Sequence, residues 1–151
     1  MTVNPYKIVL ANATRYEFNS LGPKGVIKKG VEITALDQQD TYNFGFGDVR
    51  PDGTIDDQTE TNNEDIIRVF ATVIEIMKDY IKNNPNATLY FDGSTDQRML
   101  VYQYIVKRYH DVFTENFIIT GILGKENGYQ EVIYDPQSEE HYLAFLVQKK
   151  S

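Results

Sequence analysis

The 151-residue chain contains no cysteine, which excludes disulfide bonds, thiolate metal sites and cysteine nucleophiles. It has only two histidines, His110 and His141, so a metal site built from several imidazoles is excluded as well. His110 lies near a predicted helix end and His141 at a predicted strand start, where both are interpreted as structural. We therefore assign no catalytic residue, no metal site and no cofactor.

The sequence also lacks a long apolar run and an excess of basic residues. The apolar stretch near its N-terminus, Ile8 to Ala11, has only four residues, too short for a secretion signal or a membrane span. The net charge of −7 opposes binding to a phosphate backbone, and the cluster Lys24, Lys28 and Lys29 is interpreted as solvated surface charge. We expect a cytoplasmic protein without nucleic-acid or membrane partners.

Turn signals and β-type runs predict how the chain is organised. The length, and the absence of linkers or repeats, indicate a single domain over residues 1–151. Alternating runs predict strands over 15–20, 26–36 and 41–47, one over 87–92, and three over 116–123, 129–134 and 141–148. Gly30 is expected to introduce a bulge or bend, and residues 47–60 to form an exposed loop.

Two capping-box patterns predict the starts of two helices. Thr61 and Glu64 have this spacing before an apolar stripe at intervals of three or four residues, which ends at Asn83-Asn84-Pro85. Ser94 and Gln97 repeat it before a helix that finishes near His110. The expected fold class is α+β: a mostly antiparallel sheet, with an N-terminal and a C-terminal meander and two main helices on one face.

The second helix start is the candidate ligand site. A strand that runs through glycine into a helix presents free backbone N–H groups and the positive end of the helix dipole. Gly93, Ser94, Thr95 and Arg98 are therefore a candidate anion site, with Arg98 supplying a guanidinium. The alternative is that Ser94 only caps the helix, and Asp96 would repel an anion. The phosphate-binding glycine motifs of nucleotide-binding folds are missing.

The acidic segment from Asp48 to Asp57 suggests calcium, but its register does not match an EF-hand loop, since Arg50 falls at the third position. A solvated turn or a weak divalent site built from Asp52, Asp56 and Asp57 remains open. If this segment converges with the second helix start, Asp48, Asp56 and Asp57 would contribute to the same site.

Several spaced motifs resemble those of an uncharacterised family of small bacterial proteins, a domain of unknown function. The motifs are Tyr16-x-Phe18-x-Ser20-x-Gly22-Pro23-x-Gly25-x-Ile27-x-Lys29, Tyr42-Asn43-Phe44-Gly45-Phe46-Gly47-Asp48, Ile55-Asp56-Asp57, Asn62-Asn63-x-Asp65 and Gly93-Ser94-Thr95-x-x-Arg98. The resemblance covers nearly the whole chain and implies a compact cytoplasmic bacterial protein. It implies no activity, but it includes the polar residues Asp48, Asp56, Asp57, Asn63 and Arg98.

Aromatic residues alternate along predicted strands, as at Tyr16 and Phe18, which favours a core or a protein-binding face. The leading functional hypothesis is a non-enzymatic binding or regulatory module that acts through a protein partner or through self-association, such as a homodimer. The alternative is a protein that binds a phosphate or nucleotide-type ligand, or processes a phosphoester, at the helix start Gly93 to Arg98. That alternative requires a cleft beside Arg98 and nearby loop carboxylates.

Overall fold

The computed structural model describes residues 4–56 and 62–150. In chain order the elements are β1 (Val9–Asn12), β2 (Arg15–Gly22), β3 (Gly25–Ala35), β4 (Thr41–Val49), β5 (Ile55–Asp56), α1 (Ile66–Asn83), β6 (Thr88–Phe91), α2 (Asp96–Arg108), α3 (His110–Asn116), β7 (Phe117–Lys125), β8 (Gly128–Ile133) and β9 (Ala144–Lys149). None of the helices in these ranges is both long and apolar enough to cross a lipid bilayer.

The strands form one sheet in the order β1-β2-β3-β4-β6-β9-β7-β8, with β5 paired to β4. All described strand pairs are antiparallel except β4 with β6, which is parallel because α1 connects the two strands. The expected α+β class is confirmed, and β1 to β4 form the predicted N-terminal meander. The predicted C-terminal meander is wrong, because β7 and β8 form a hairpin and β9 pairs with β7 and β6 instead of with β8. The sheet places the end of β6, and therefore the start of α2, beside β4.

One face of the sheet carries the apolar positions, because side chains alternate along each strand. Phe44 and Phe46 of β4 and Phe91 of β6 face residues of α1, α2 and α3 across the core. Tyr102 of α2 contacts Phe91 edge to face, with ring centroids 6.1 Å apart. The helices therefore pack on the inner face of the sheet, as expected, with α3 as a third helix.

The helix starts differ by one or more residues from the capping-box predictions. Helix α1 begins at Ile66 with Asp65 at the N-cap position, and Glu64 has a left-handed backbone with φ of 59°, so Glu64 lies outside the helix. Thr61 lies outside the described residues. In α2 the capping side chain is that of Thr95, whose hydroxyl accepts from Arg98 N at 3.2 Å, so the prediction that Ser94 caps this helix is wrong.

The predicted bulge at Gly30 is also wrong. Pairing of β3 with β2 and with β4 continues in register through Gly30, and the described irregularity lies in β1 between Leu10 and Asn12. A Cβ atom at Gly30 would lie 2.9 Å from a Val49 methyl carbon, so the glycine leaves space for packing instead. The predicted loop over residues 47–60 contains strand structure, because β4 extends to Val49 and pairs with β5; its last residues, 57–60, lie outside the described ranges.

The elements in the C-terminal half of the chain also differ from the predicted ones. The second predicted helix ends near His110, as predicted: α2 stops at Arg108, and Tyr109 interrupts the helix. A further helix that was not predicted, α3, runs from His110 to Asn116. The last strand begins at Ala144 instead of His141. Tyr142 lies before it and packs across Gly121, where a Cβ atom would approach the ring to 2.3 Å.

Candidate functional site

A cavity of about 600 Å³ lies where α1 and α2 both begin, above the inner face of β3. Its described polar lining comes from β3, from the segment before α1 and from the start of α2: Lys29, Asn62, Asn63, Asp65, Thr95, Asp96, Gln97 and Arg98. Its apolar lining comes from the two helices: Ile66, Val69, Phe70, Val101 and Tyr102. The cavity is large enough for a small organic ligand, since binding pockets commonly measure about 300–1,000 Å³.

Lys29 supplies a buried positive charge to this cavity. The register of β3 and β4 places Lys29 opposite Asp48 on the inner face, and Nζ lies 2.6 Å from Oδ1 of Asp48. The lysine side chain is 1 % exposed and that of Asp48 is 20 % exposed. Lys29 was interpreted from the sequence as solvated surface charge, and this interpretation is wrong.

Arg98 reaches the same cavity from the first turn of α2. Its Nη2 donates to the Phe46 carbonyl at 2.7 Å and also to the Tyr102 hydroxyl, and its guanidinium carbon lies 5.5 Å from the centroid of the Tyr102 ring. These contacts tie the guanidinium to β4 and to the next turn of its own helix. The position of Arg98 is therefore fixed by the fold.

The other residues of the predicted anion site have different positions: some support the start of α2, and some line the cavity. Gly93 is structural, because a Cβ atom there would lie 2.1 Å from the backbone nitrogen of Met99. Ser94 Oγ accepts from Nη1 of Arg98 at 3.4 Å, and Thr95 caps α2 and lines the cavity. The strand-to-helix transition was predicted correctly, while the residue that caps it was not.

A buried hydrogen-bond network supports the α1 side of the cavity. Nδ2 of Asn63 donates to Ser20 Oγ at 3.2 Å and to the Gly25 carbonyl at 2.9 Å. Oδ1 of Asn63 accepts from the backbone nitrogen of Lys24 at 2.8 Å. Asn63, which the resemblance had marked as of interest, therefore fastens the β2–β3 turn to the start of α1.

Asp65 continues this network and was not identified from the sequence as a site residue. Its Oδ2 accepts from the Tyr6 hydroxyl and from Ser20 Oγ, each at 2.6 Å. Burial raises the pKa of the Tyr6 phenol, and the hydrogen bond to Asp65 raises it further. Tyr6 therefore remains a neutral donor at ordinary pH, and the carboxylate is held in one orientation.

Among the described residues of the acidic segment, Asp48 contacts the cavity lining through its ion pair with Lys29. Asp48 holds Lys29, whereas Asp56 pairs opposite Asp48 on β5 and lies 3.5 Å from Nη2 of Arg50. Asp52 accepts from both the amide and the hydroxyl of Thr54, and these hydrogen bonds lower the pKa of its carboxyl group. Asp57 lies outside the described residues. Within residues 4–56 and 62–150, no three carboxylate or imidazole groups are close enough to hold a metal ion.

Comparison with known protein families gives one match, which covers residues 2–150 and is described as a family of unknown function, DUF6934. The chain belongs to this family. The resemblance to an uncharacterised family inferred from the motifs is thereby confirmed. The comparison found no significant match among curated proteins and none among solved structures.

The DUF6934 match spans every described element that builds the cavity. Because the family has no assigned function, it supplies no substrate, partner or residue role for these positions. A function for the cavity must therefore be argued from its own chemistry. The described lining has two cationic side chains, two carboxylates and an apolar wall formed by two helices.

Proposed function

We propose that this chain is a cytoplasmic protein that binds a small ligand with an anionic group, a carboxylate or a phosphate, in the cavity between α1 and α2. The observation that carries the proposal is that both helices begin at this cavity and that Arg98 lies in its lining. Helix starts favour negative charge through their backbone N–H groups and dipoles. Two such starts and a guanidinium make this the most suitable anion position in the described fold.

Lys29 supports the same assignment from the floor of the cavity. Its ammonium group is paired with Asp48, so the pair adds hydrogen-bond donors with little net charge. Arg98 is held by a backbone carbonyl and a tyrosine hydroxyl, both neutral acceptors in the contacts described above. These contacts hold the guanidinium in place at the cavity lining.

The apolar wall indicates that the ligand also has an apolar part. Ile66 of α1 and Val101 of α2 both line the cavity, and they are 41 % and 39 % exposed. Contact with an apolar ligand surface would remove both from water, at about 25 cal/mol for each Å² that is buried. A small organic acid or organic phosphate meets both requirements better than inorganic phosphate does.

The proposal is tested by thermal shift and isothermal titration calorimetry with inorganic phosphate, a nucleoside monophosphate, a sugar phosphate and small apolar carboxylates. Binding to the folded state raises the midpoint of unfolding, and a ligand at about 100 times its Kd adds about 2.7 kcal/mol of stability. Arg98→Gln should weaken binding by about 10- to 100-fold, because it removes a charge-assisted hydrogen bond.

Arg108→Gln is the matched control, because it removes the same charge from the exposed end of the same helix, away from this cavity. It should leave the affinity unchanged. The proposal is wrong if none of these anions binds, or if the Arg98 and Arg108 variants bind as tightly as each other.

Self-association is a second candidate, favoured by the exposed end of the sheet. Strand β8 lies at that end, and its Tyr129 and Ile133 are 79 % and 71 % exposed. An edge strand with exposed apolar side chains can pair with a second copy of the chain. Light scattering after size exclusion would show a dimer that Ile133→Lys dissociates, and a strictly monomeric wild-type chain would remove this candidate.

A further inference from the structure

We propose that the ligand of this cavity is a zwitterion, with a primary ammonium group that binds to Asp65 and an acidic group that binds near Arg98. This inference rests on the proposed function and specifies the class of ligand. Its basis is charge: the described lining contains Lys29 and Arg98, but also Asp65 and Asp96. A purely anionic ligand would be repelled by the two carboxylates, whereas a ligand with both charges is attracted to both kinds of side chain.

The geometry of Asp65 indicates that it is available to a ligand. As the N-cap residue of α1 it would ordinarily accept a hydrogen bond from the first helical turn, yet its side chain makes no such bond. Both hydrogen bonds to the carboxylate, from Tyr6 and Ser20, fall on Oδ2. No residue within the described ranges donates a hydrogen bond to Oδ1. One oxygen is therefore anchored, and the other is left for a donor in the cavity that Asp65 lines.

The supporting residues make this orientation rigid. The Tyr6 hydroxyl accepts from the backbone nitrogen of Leu21 at 3.0 Å, and Ser20 Oγ accepts from Nδ2 of Asn63 at 3.2 Å. Tyr6, Ser20 and Asn63 are all buried, so the donors to Asp65 do not exchange with solvent. A carboxylate held in this way loses little conformational entropy when it binds an ammonium group, which increases affinity.

Free apolar amino acids are suitable probes, because they combine an ammonium group, a carboxylate and an apolar body. Calorimetry would compare L-leucine and L-phenylalanine with their deaminated counterparts, 4-methylpentanoate and 3-phenylpropanoate. Each amino acid should bind the wild-type chain about tenfold or more tightly than its deaminated counterpart, as expected for one added hydrogen bond to a charged group. This comparison needs no variant and so does not depend on any variant being folded.

Asp65→Asn should abolish that preference, because the amide places N–H donors where the ligand ammonium needs an acceptor. Asp79→Asn is the matched control: Asp79 also accepts a tyrosine hydroxyl, that of Tyr16 at 2.8 Å, but does not line the cavity. It should retain the preference in full. Denaturant unfolding of both variants would confirm that they are folded under the conditions of the titrations.

The possible results separate the two proposals. If the deaminated acids bind as tightly as the amino acids and require Arg98, the zwitterion inference is wrong and the proposed function stands. If Asp65→Asn keeps the preference for amino acids, the role of Asp65 is also refuted. If neither set of probes binds, both proposals are overturned.

Discussion

Gly93→Ala provides a direct test of how the start of α2 is built. A Cβ atom at this position would lie 2.1 Å from Met99 N and 2.5 Å from the carbonyl carbon of Arg98. Both are backbone atoms in the first turns of α2, so no side-chain rotation relieves the overlap. The helix start would have to move away from the end of β6, and Arg98 would move with it.

The magnitude follows from two opposing effects. An extra methyl group in a well-packed region costs about 1–3 kcal/mol, and the backbone position of this contact places Gly93→Ala at the upper end. Alanine also restricts the unfolded chain, which offsets at most about 1 kcal/mol. We therefore expect a net loss of about 2–3 kcal/mol of unfolding free energy, together with weaker binding of any anion that contacts Arg98.

Gly45→Ala is the control, because a Cβ atom there would meet its nearest neighbours at 3.5 Å, an ordinary van der Waals distance. Urea unfolding with linear extrapolation should place this variant within about 1 kcal/mol of the wild type. If Gly93→Ala is no less stable than Gly45→Ala, then the close approach of β6 and α2 is not what requires glycine. That result would favour the interpretation, made from the sequence, that Gly93 belongs to an anion site.

Three further sets of substitutions test other parts of the structure by denaturant unfolding. Thr95→Ala should cost about 1 kcal/mol through loss of the α2 cap, while Ser94→Ala stays within about 0.5 kcal/mol; the reverse order would contradict the capping assignment. Burial raises the pKa of the Tyr16 phenol, and the hydrogen bond that this phenol donates to a carboxylate of α1 raises it further. The stability that the neutral phenol contributes is therefore complete below about pH 10 and is lost progressively above it. The unfolding free energy of Tyr16→Phe should fall less steeply with pH above about pH 10 than that of the wild type. Equal slopes for the two proteins would refute this. Lys29→Met and Asp48→Asn should each lower the unfolding free energy by about 3 kcal/mol, and the double variant should lose less than the sum of the two losses. Strictly additive losses would show that the two charges are not coupled.

The sequence predicted the fold well where the apolar periodicity is strong. Alternation along β2 to β4 and the helical stripe that includes Phe70 and Met77 correspond to buried positions. Strands β1 and β5 were missed because β1, Val-Leu-Ala-Asn, has no alternation of apolar and polar residues and β5 has only two residues, so neither shows the period of a strand.

The residues that line the cavity were predicted only where they lie close together in the sequence. Arg98 and Thr95 were identified because a strand, a glycine and a helix start follow one another along the chain. Asp65 could not be identified in this way, since its partners Tyr6 and Ser20 lie 59 and 45 residues away. Lys29 resembled its exposed neighbour Lys28, although alternation along β3 places Lys29 on the same face as the buried Val31 and Ile33.

Two residues at this cavity, on different elements, are not those that their positions in the fold favour. A lysine occupies an inward-facing strand position, where an apolar residue would avoid the cost of burying a charge. An aspartate occupies an N-cap position without capping, which forgoes about 1 kcal/mol of helix stabilisation. Each residue has a partner within the fold, Asp48 for Lys29 and the Tyr6 and Ser20 hydroxyls for Asp65, and each also places a charged group in the cavity lining. Because such departures concentrate where function competes with stability, their coincidence favours this cavity, and not the exposed edge of β8, as the place where the protein acts.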